Sequence, residues 1–162
     1  MISLNSPDDG QPVRPPWQLN FLLVDDDNIC QFIHRRVLEM SGCCKSAHSA
    51  LNGKAALEIL DRAASGAMTI PDVILLDLDM PLMNGLAFLE AFREFDDALK
   101  QRIAIVLLTS SVSGKDWDSA RALGVKYCLP KPLTHEKLHS AIEAILNTRP
   151  PACMWPADQD SE

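Results

Sequence analysis

The sequence predicts a single three-layer α/β domain, a parallel β-sheet covered by helices on both faces. Short apolar runs alternate with longer stretches whose apolar residues recur every three or four positions. This alternation is typical of βαβ units, whose strands are parallel. The length of 162 residues suits one such domain.

The strands follow from the apolar runs. The first covers 19–24, is apolar except for Asn20, and ends in three aspartates. A second, over 43–50, has a weak pattern and is predicted because its neighbours require a strand between them. The other three are predicted over the ranges 73–76, 103–108 and 127–129. Continuous apolar runs are typical of strands buried on both faces.

A helix is expected after each strand. The first helix is indicated by apolar residues at helical spacing, with Gly42 as a stop signal. These residues are Ile29, Phe32, Ile33, Val37 and Met40. The apolar stripes of the remaining helices lie in the ranges 56–63, 86–95, 117–123 and 138–145. The stripe within 117–123 is poor, so its helix is the least well defined.

Composition bounds the rest of the chain. Residues 1–18 and 148–162 are rich in proline and polar residues, so we expect a flexible arm and a flexible tail around a domain at 19–147. The net charge of −7 and the absence of a basic run argue against nucleic acid or anionic lipid as the main partner. No apolar run is long enough to span a membrane, and no signal peptide is recognisable. The five cysteines form no CxxC pair, which favours a reduced, cytoplasmic protein.

Charged and hydroxyl side chains stand where the predicted strands end. Asp25, Asp26 and Asp27 follow the first strand, and single residues follow three later ones: Asp77, Thr109 and Lys131. In open parallel sheets the functional crevice lies beyond the carboxyl ends of the strands. Any one of these aspartates could simply cap a helix or form a turn. Their joint occurrence at successive strand ends instead indicates a site.

The chemistry of these residues suits phosphoryl transfer. Carboxylates that share a site stay ionised only if a cation joins them, and oxygen ligands favour Mg²⁺. Such an ion would also neutralise phosphate oxygens. A threonine hydroxyl and a lysine ammonium can bind the remaining oxygens, and a carboxylate beside Mg²⁺ is a plausible nucleophile.

These segments resemble the receiver domain of bacterial response regulators in two-component systems, in particular stand-alone chemotaxis regulators. The resemblance covers about 19–147. It is carried by LLVDDD at 22–27, PDVILLDLDMPLMNG at 71–85, LLTS at 107–110 and KP at 131–132. The spacing also agrees, with 32 residues from Asp77 to Thr109 and 22 from there to Lys131.

The resemblance implies the flavodoxin-like strand order 2-1-3-4-5 and a phosphoacceptor, Asp77, served by a histidine kinase or a histidine phosphotransfer protein. It implies that Asp25, Asp26, Asp77 and the backbone carbonyl of Asp79 hold Mg²⁺, with Asp25 acting largely through water. Thr109 and Lys131 would bind the phosphoryl group, and the Lys131–Pro132 bond would be cis. Such a protein is not an enzyme beyond its own phosphorylation and dephosphorylation.

Two positions depart from the family pattern. Where the family has a switching tyrosine or phenylalanine, this chain has Cys128, and Tyr127 one residue earlier is expected to face the other way. Either residue is therefore only a candidate for the switch. Asp79 places an extra carboxylate two residues beyond the acceptor, where side chains affect the lifetime of the acyl phosphate.

Three alternatives remain. A receiver fold can serve as a binding module without phosphorylation. The string Asp77-Leu78-Asp79 also resembles the active site of haloacid-dehalogenase-type phosphotransferases, although Pro81 and the early double aspartate depart from that pattern. The string from His135 to His139 matches the zinc-protease pattern HExxH, but also fits the capped start of a helix.

The expected output is protein binding or phosphorelay. No DNA-binding or catalytic domain fits in the short tail, so the downstream partner, which the sequence does not identify, is expected to be another protein.

Overall fold

Five parallel strands form one sheet in the order β2-β1-β3-β4-β5, which confirms the predicted fold class and strand order. The computed structural model describes residues 18–80, 82–110 and 114–148. The predicted arm and tail lie outside these residues except for Gln18 and Thr148. The strands are β1 (Leu19–Val24), β2 (Cys44–Ala50), β3 (Val73–Asp77), β4 (Ala104–Thr109) and β5 (Tyr127–Pro130).

Within the described ranges, six helices connect and cover the strands. They are α1 (Asn28–Ser41), α2 (Gly53–Ala64), α3 (Gly85–Phe92), α4 (Asp97–Arg102), α5 (Gly114–Ala122) and α6 (His135–Thr148). The short helix α4 was not predicted, because only Leu99 in it is buried and one buried residue makes no stripe. Its polarity still suits a helix, since Asp97 stands in the first turn and Lys100 and Arg102 in the last.

The two faces of the sheet carry separate cores, because successive side chains of a strand point to opposite faces. On one face, Leu22, Leu76 and Leu107 pack with Leu60 of α2 and Phe88 of α3. On the other face, Leu23, Leu75 and Val106 pack with Leu38 of α1 and Ile142 of α6. The domain therefore has the three layers expected from the sequence. Among the described helices, none combines the length and hydrophobicity needed to cross a membrane.

Helix α1 is oriented differently from what its apolar stripe suggests. Ile29, Phe32 and Met40 are 71%, 66% and 65% exposed. The side that packs on the sheet instead buries Gln31 and His34 together with Leu38 and Ser41. The stripe therefore predicts the helix correctly but does not mark its buried face.

Candidate functional site

Three aspartates meet at the carboxyl ends of β1 and β3. One carboxylate oxygen from each of Asp25, Asp26 and Asp77 lies within 4.8 Å of the other two. Asp25 and Asp77 are buried, and Asp26 is exposed. The arrangement arises because β1 and β3 are adjacent parallel strands that end at one edge of the sheet. An acidic cluster that has one open side and brings three carboxylate oxygens together suits a hard cation such as Mg²⁺.

Lys131 reaches this cluster from the end of β5. Its Nζ lies 2.8 Å from Asp25 Oδ2 and 3.4 Å from Asp77 Oδ1. Its backbone N–H donates to the carbonyl of Thr109, which ties the β5 end to the β4 end. The Lys131–Pro132 peptide bond is cis, as the resemblance implies. Burial favours the neutral amine, but the hydrogen bond to Asp25 and the charge of Asp77 outweigh it and raise the pKa of Lys131.

Asp77 has a strongly perturbed carboxyl group. Burial raises its pKa to about 6, Lys131 opposes that shift, and the carboxylates of Asp25 and Asp79 add to it. The carboxylates of Asp25, Asp77 and Asp79 thus share the single ammonium group of Lys131, and net negative charge remains at the site. A divalent cation would offset that charge and favour ionised Asp77.

The loop after β1 is held by hydrogen bonds on both sides. Asp25 Oδ1 accepts from the N–H of Asp27 at 2.9 Å. Asp27 is the N-cap of α1 and accepts from the N–H groups of Ile29 and Cys30, and these bonds lower its pKa. Asp27 therefore has a structural role, whereas Asp25 and Asp26 face the site.

The buried side chain of Gln31, on α1, holds the same loop by hydrogen bonds. Its Nε2 donates to the carbonyl oxygens of Leu23, Asp25 and Ala50 at 3.0–3.2 Å. Leu23 lies next to the last residue of β1, Ala50 is the last residue of β2, and Asp25 follows β1 directly. One buried amide thus fixes where Asp25 sits. Sequence reasoning missed Gln31, since nothing in a single helix turn reveals carbonyl partners that lie on two strands.

Gly85 allows the chain to pass close behind Asp77. Its N–H donates to the carbonyl of Leu78 at 2.9 Å. A Cβ at this position would stand 2.7 Å from Asp77 O and 2.8 Å from Leu78 Cα, closer than real Cβ contacts. Both obstacles are backbone atoms, so the asparagine–glycine pair that begins α3 fits because Gly85 lacks a side chain.

The remaining residues singled out from the sequence lie at or beside this edge. Thr109 ends β4 and is half-buried, one residue beyond Leu108, the β4 residue that pairs with Asp77. The Asp79 side chain is exposed. Cys128 packs against the core on the side of α2 and α3, whereas Tyr127 packs on the side of α1 and α6. The two candidate switch residues therefore face opposite ways.

Cys30 is a second neighbour of the site that sequence reasoning missed. Its Sγ lies 3.6 Å from Asp27 Oδ2 and 3.9 Å from Lys131 Nζ. Burial raises the pKa of this thiol, which therefore stays protonated near neutral pH. Its position one turn after the acidic triplet is the only signal that the sequence offers.

The two histidines of the HExxH string lie on α6. Their rings pack against each other on successive turns, with centroids 4.5 Å apart and ring planes tilted by 58°. Thr134 Oγ1 accepts from the N–H of Lys137, so this segment is the capped helix start that the sequence also allows. Within 18–80, 82–110 and 114–148, the aspartate cluster is the only group of three residues with ligand atoms close enough to share an ion.

The comparisons with known proteins agree with this geometry. A family model described as the response regulator receiver domain matches residues 21–143. The probable methanogenesis regulatory protein FilR2 of Methanothrix harundinacea is 30% identical over 138 residues, which cover 85% of this chain and 88% of that protein. The transcriptional regulatory protein CpxR of Escherichia coli K12 is 34% identical over 125 residues, covering 77% of this chain but 48% of CpxR.

Solved structures show the same fold. A two-component response regulator from Cytophaga hutchinsonii superposes with a TM-score of 0.73 at 29% identity, covering 80% of this chain and 98% of that one. The chemotaxis protein CheY4 of Vibrio cholerae gives a TM-score of 0.65 at 28% identity, covering 80% and 99%. The predicted family is thereby confirmed, and this chain belongs to the response regulator receiver domains of two-component signalling.

Proposed function

We propose that this protein is a response regulator whose Asp77 accepts a phosphoryl group from a histidine kinase or a histidine phosphotransfer protein, with Mg²⁺ as cofactor. One observation carries the proposal. The buried Asp77 carboxylate lies within 4.8 Å of Asp25 and Asp26 oxygens and 3.4 Å from Lys131 Nζ. A nucleophile, a cation site and a fixed ammonium group thus stand at one sheet edge.

The transfer step follows from these positions. An Asp77 oxygen attacks the phosphorus of a phosphohistidine, the P–N bond breaks, and the imidazole leaves with the electron pair of that bond. Asp25, Asp26, Asp77 and the Asp79 carbonyl would hold Mg²⁺, which when bound neutralises phosphoryl oxygens and keeps the carboxylates ionised. Lys131 offers a further positive charge to the transferred group.

Thr109 and the β5 residues would convert phosphorylation into a changed surface. The Thr109 hydroxyl stands at the β4 end and would bind a phosphoryl oxygen, which biases its loop toward one of two arrangements. Because Cys128 and Tyr127 face opposite ways, we do not assign the switch to either residue. The output is altered protein binding or onward phosphorelay in the cytoplasm, where free thiols such as those of Cys43 and Cys128 remain reduced.

The phosphodonor would dock on the exposed side of α1. Ile29, Phe32, Ile33 and Met40 are all at least 41% exposed on this helix, and its N-cap, Asp27, adjoins the aspartate cluster. Contiguous exposed apolar side chains mark interaction surfaces. A donor with an apolar helical face would bury these side chains while presenting its histidine to Asp77.

Labelling with a small acyl phosphate and Mg²⁺ tests the proposal. We expect wild type to become phosphorylated, and Asp77→Asn to remain unlabelled by intact-mass measurement. Asp79→Asn is the matched control, since its backbone carbonyl is retained, and it should label. Label that persists in Asp77→Asn would disprove the assignment.

The alternatives predict other outcomes. Failure of wild type to label with any donor, together with unchanged partner binding, would favour a binding module that works without phosphorylation. Sustained hydrolysis of phosphomonoesters that survives Asp26→Ala would favour a phosphotransferase.

A further inference from the structure

A cavity of about 370 Å³ opens at the sheet edge opposite the aspartate cluster, where β4 and β5 begin. Most of its wall is apolar. The wall includes Phe92, Ile103, Ile105, Leu123, Val125 and Tyr127. Its volume is in the range of sites that hold a small molecule or a large side chain.

The rim of this cavity is positively charged. Arg93, Lys100, Lys126 and Asp97 belong to it. Lys100 is already engaged, since its Nζ lies 3.2 Å from Asp97 Oδ1 and donates to the carbonyl of Arg93. Within the described part of the chain, no carboxylate pairs with the side chains of Arg93 or Lys126. The cationic groups of Arg93 and Lys126 therefore flank the apolar cavity without a counter-charge. This local positive charge contrasts with the net charge of −7 of the protein.

We infer that the C-terminal segment of this same chain docks here, with Trp155 in the cavity and its acidic residues on the rim. The segment is complementary to the cavity, with apolar side chains for its wall followed by acidic side chains for its cationic rim. Met154 and Trp155 come first, and Asp158, Asp160 and Glu162 follow. An indole ring offers a large apolar surface to bury, and carboxylates next to it would pair with Arg93 and Lys126.

The segment leaves the domain on the correct side. β5 ends at the edge that carries the aspartates, and α6 returns from there, so Thr148 at its end lies toward the edge where β4 and β5 begin. Trp155 lies seven positions after Thr148. Seven extended residues reach about 23 Å, at ~3.3 Å per residue. Three strand spacings of ~4.8 Å across the sheet and a layer of ~10 Å perpendicular to it combine to a straight-line distance of about 18 Å, which is within this reach.

The docked segment would cover a part of the molecule that phosphorylation does not use. The inference goes beyond the proposed function and does not depend on it, because the cavity and the aspartates lie at opposite edges of the sheet. Docking in cis would shield the first residues of β4 and β5, Ile105 and Tyr127 among them, and would leave the exposed side of α1 free.

Amide NMR spectra of the full chain test this inference. We expect Trp155→Ser to shift the amide signals of Ile105, Leu123, Val125 and Tyr127 and to leave those of α1 and α2 unchanged. The pair Arg93→Glu and Lys126→Glu should produce the same shifts, as should salt near 1 M, where the Debye length falls to about 3 Å. Trp17→Ser is the matched control and should not affect the cavity.

Three results would overturn the inference. Trp155→Ser could leave the cavity signals where they are, or it could shift the signals of α1 instead, which would mean that the segment covers the exposed apolar side chains there. Cavity shifts that grow with protein concentration would mean that the segment docks on a second copy rather than in cis.

Discussion

Replacing Asp77, the proposed phosphoacceptor, by asparagine tests how much its buried carboxylate lowers the stability of the fold. The Asp77 side chain is 10% exposed. Burial is the main cause that raises its pKa from 3.8 to about 6, against the opposing charge of Lys131. A carboxyl group with a higher pKa in the folded state takes up a proton on folding, so its ionised form destabilises the fold. The rise to about 6 corresponds to roughly 3 kcal/mol, at about 1.4 kcal/mol per pH unit.

In metal-free buffer at about pH 7.5, we therefore expect Asp77→Asn to raise the free energy of unfolding by up to about 3 kcal/mol. In a domain of this size the melting temperature should rise by about 2–4 °C per kcal/mol. The gain should shrink as the pH falls through 6 and vanish below about 4. At that pH the wild-type carboxyl group is protonated in both states and carries no penalty.

Urea denaturation followed by circular dichroism, with a chelator present, measures this difference at several pH values. Asp61→Asn, an exposed carboxylate on α2, is the control and should change stability by less than about 0.5 kcal/mol. Adding Mg²⁺ should stabilise wild type more than Asp77→Asn, because an ion bound to the folded state alone adds to its stability. A variant less stable than wild type at neutral pH, or a gain that does not depend on pH, would refute the reasoning.

Three further changes have defined outcomes. Gly85→Ala should lower the free energy of unfolding by roughly 1–3 kcal/mol in urea and slow labelling by acyl phosphate, because its methyl group would press on the backbone of Asp77 and Leu78; unchanged stability and rate would contradict this. Phe32→Ser should slow phosphorylation by a protein donor at least tenfold while labelling by acyl phosphate stays the same, since the ring is 66% exposed and lies outside the site; equal losses with both donors would mean a folding defect. Asn52→Ala should cost about 1 kcal/mol in the same urea assay, because its side chain caps α2 through the N–H of Ala55, and a cost near zero would show that the cap is replaced by water.

The sequence predicts the centre of the sheet well because the central strands β1, β3 and β4 are buried on both faces. The apolar runs of β1, β3 and β4 indicate both the strands and their depth, and the expected family adds the strand order. The weak pattern over 43–50 is a strand as well, and it lies at the sheet edge, where Cys44 to Ser49 are half-buried or exposed. Because an edge strand is covered less than a central one, the apolar pattern of β2 is weak and indicates the strand poorly.

Helices were harder to predict where packing is unusual. Six-residue α4 buries only Leu99, so no stripe reveals it. In α1 the side chains of Ile29, Phe32 and Met40 point outward. Part of the side that faces the sheet is instead occupied by Gln31, which needs carbonyl partners, and by His34, whose pKa burial lowers. These partners come together only in the folded chain.

The cluster of Asp25, Asp26 and Asp77 could be expected from strand ends alone, since parallel strands place their carboxyl ends together. The different roles of Asp25, Asp26 and Asp27 could not be expected from strand ends alone. Asp27 caps a helix and Asp25 pairs with Lys131, a residue 106 positions away. Such distinctions depend on side-chain direction, which no spacing rule supplies.

If the proposed function holds, the two sides of α1 separate chemistry from recognition. Gln31 on the inner side holds the backbone that carries Asp25, whereas Phe32, the next residue, contributes to the exposed apolar surface. Substitutions on the outer side can therefore accumulate without moving the aspartates. Duplicated copies of such a gene could acquire new phosphodonors by changing a handful of outward residues, while the pocket proposed to receive the phosphoryl group stays the same.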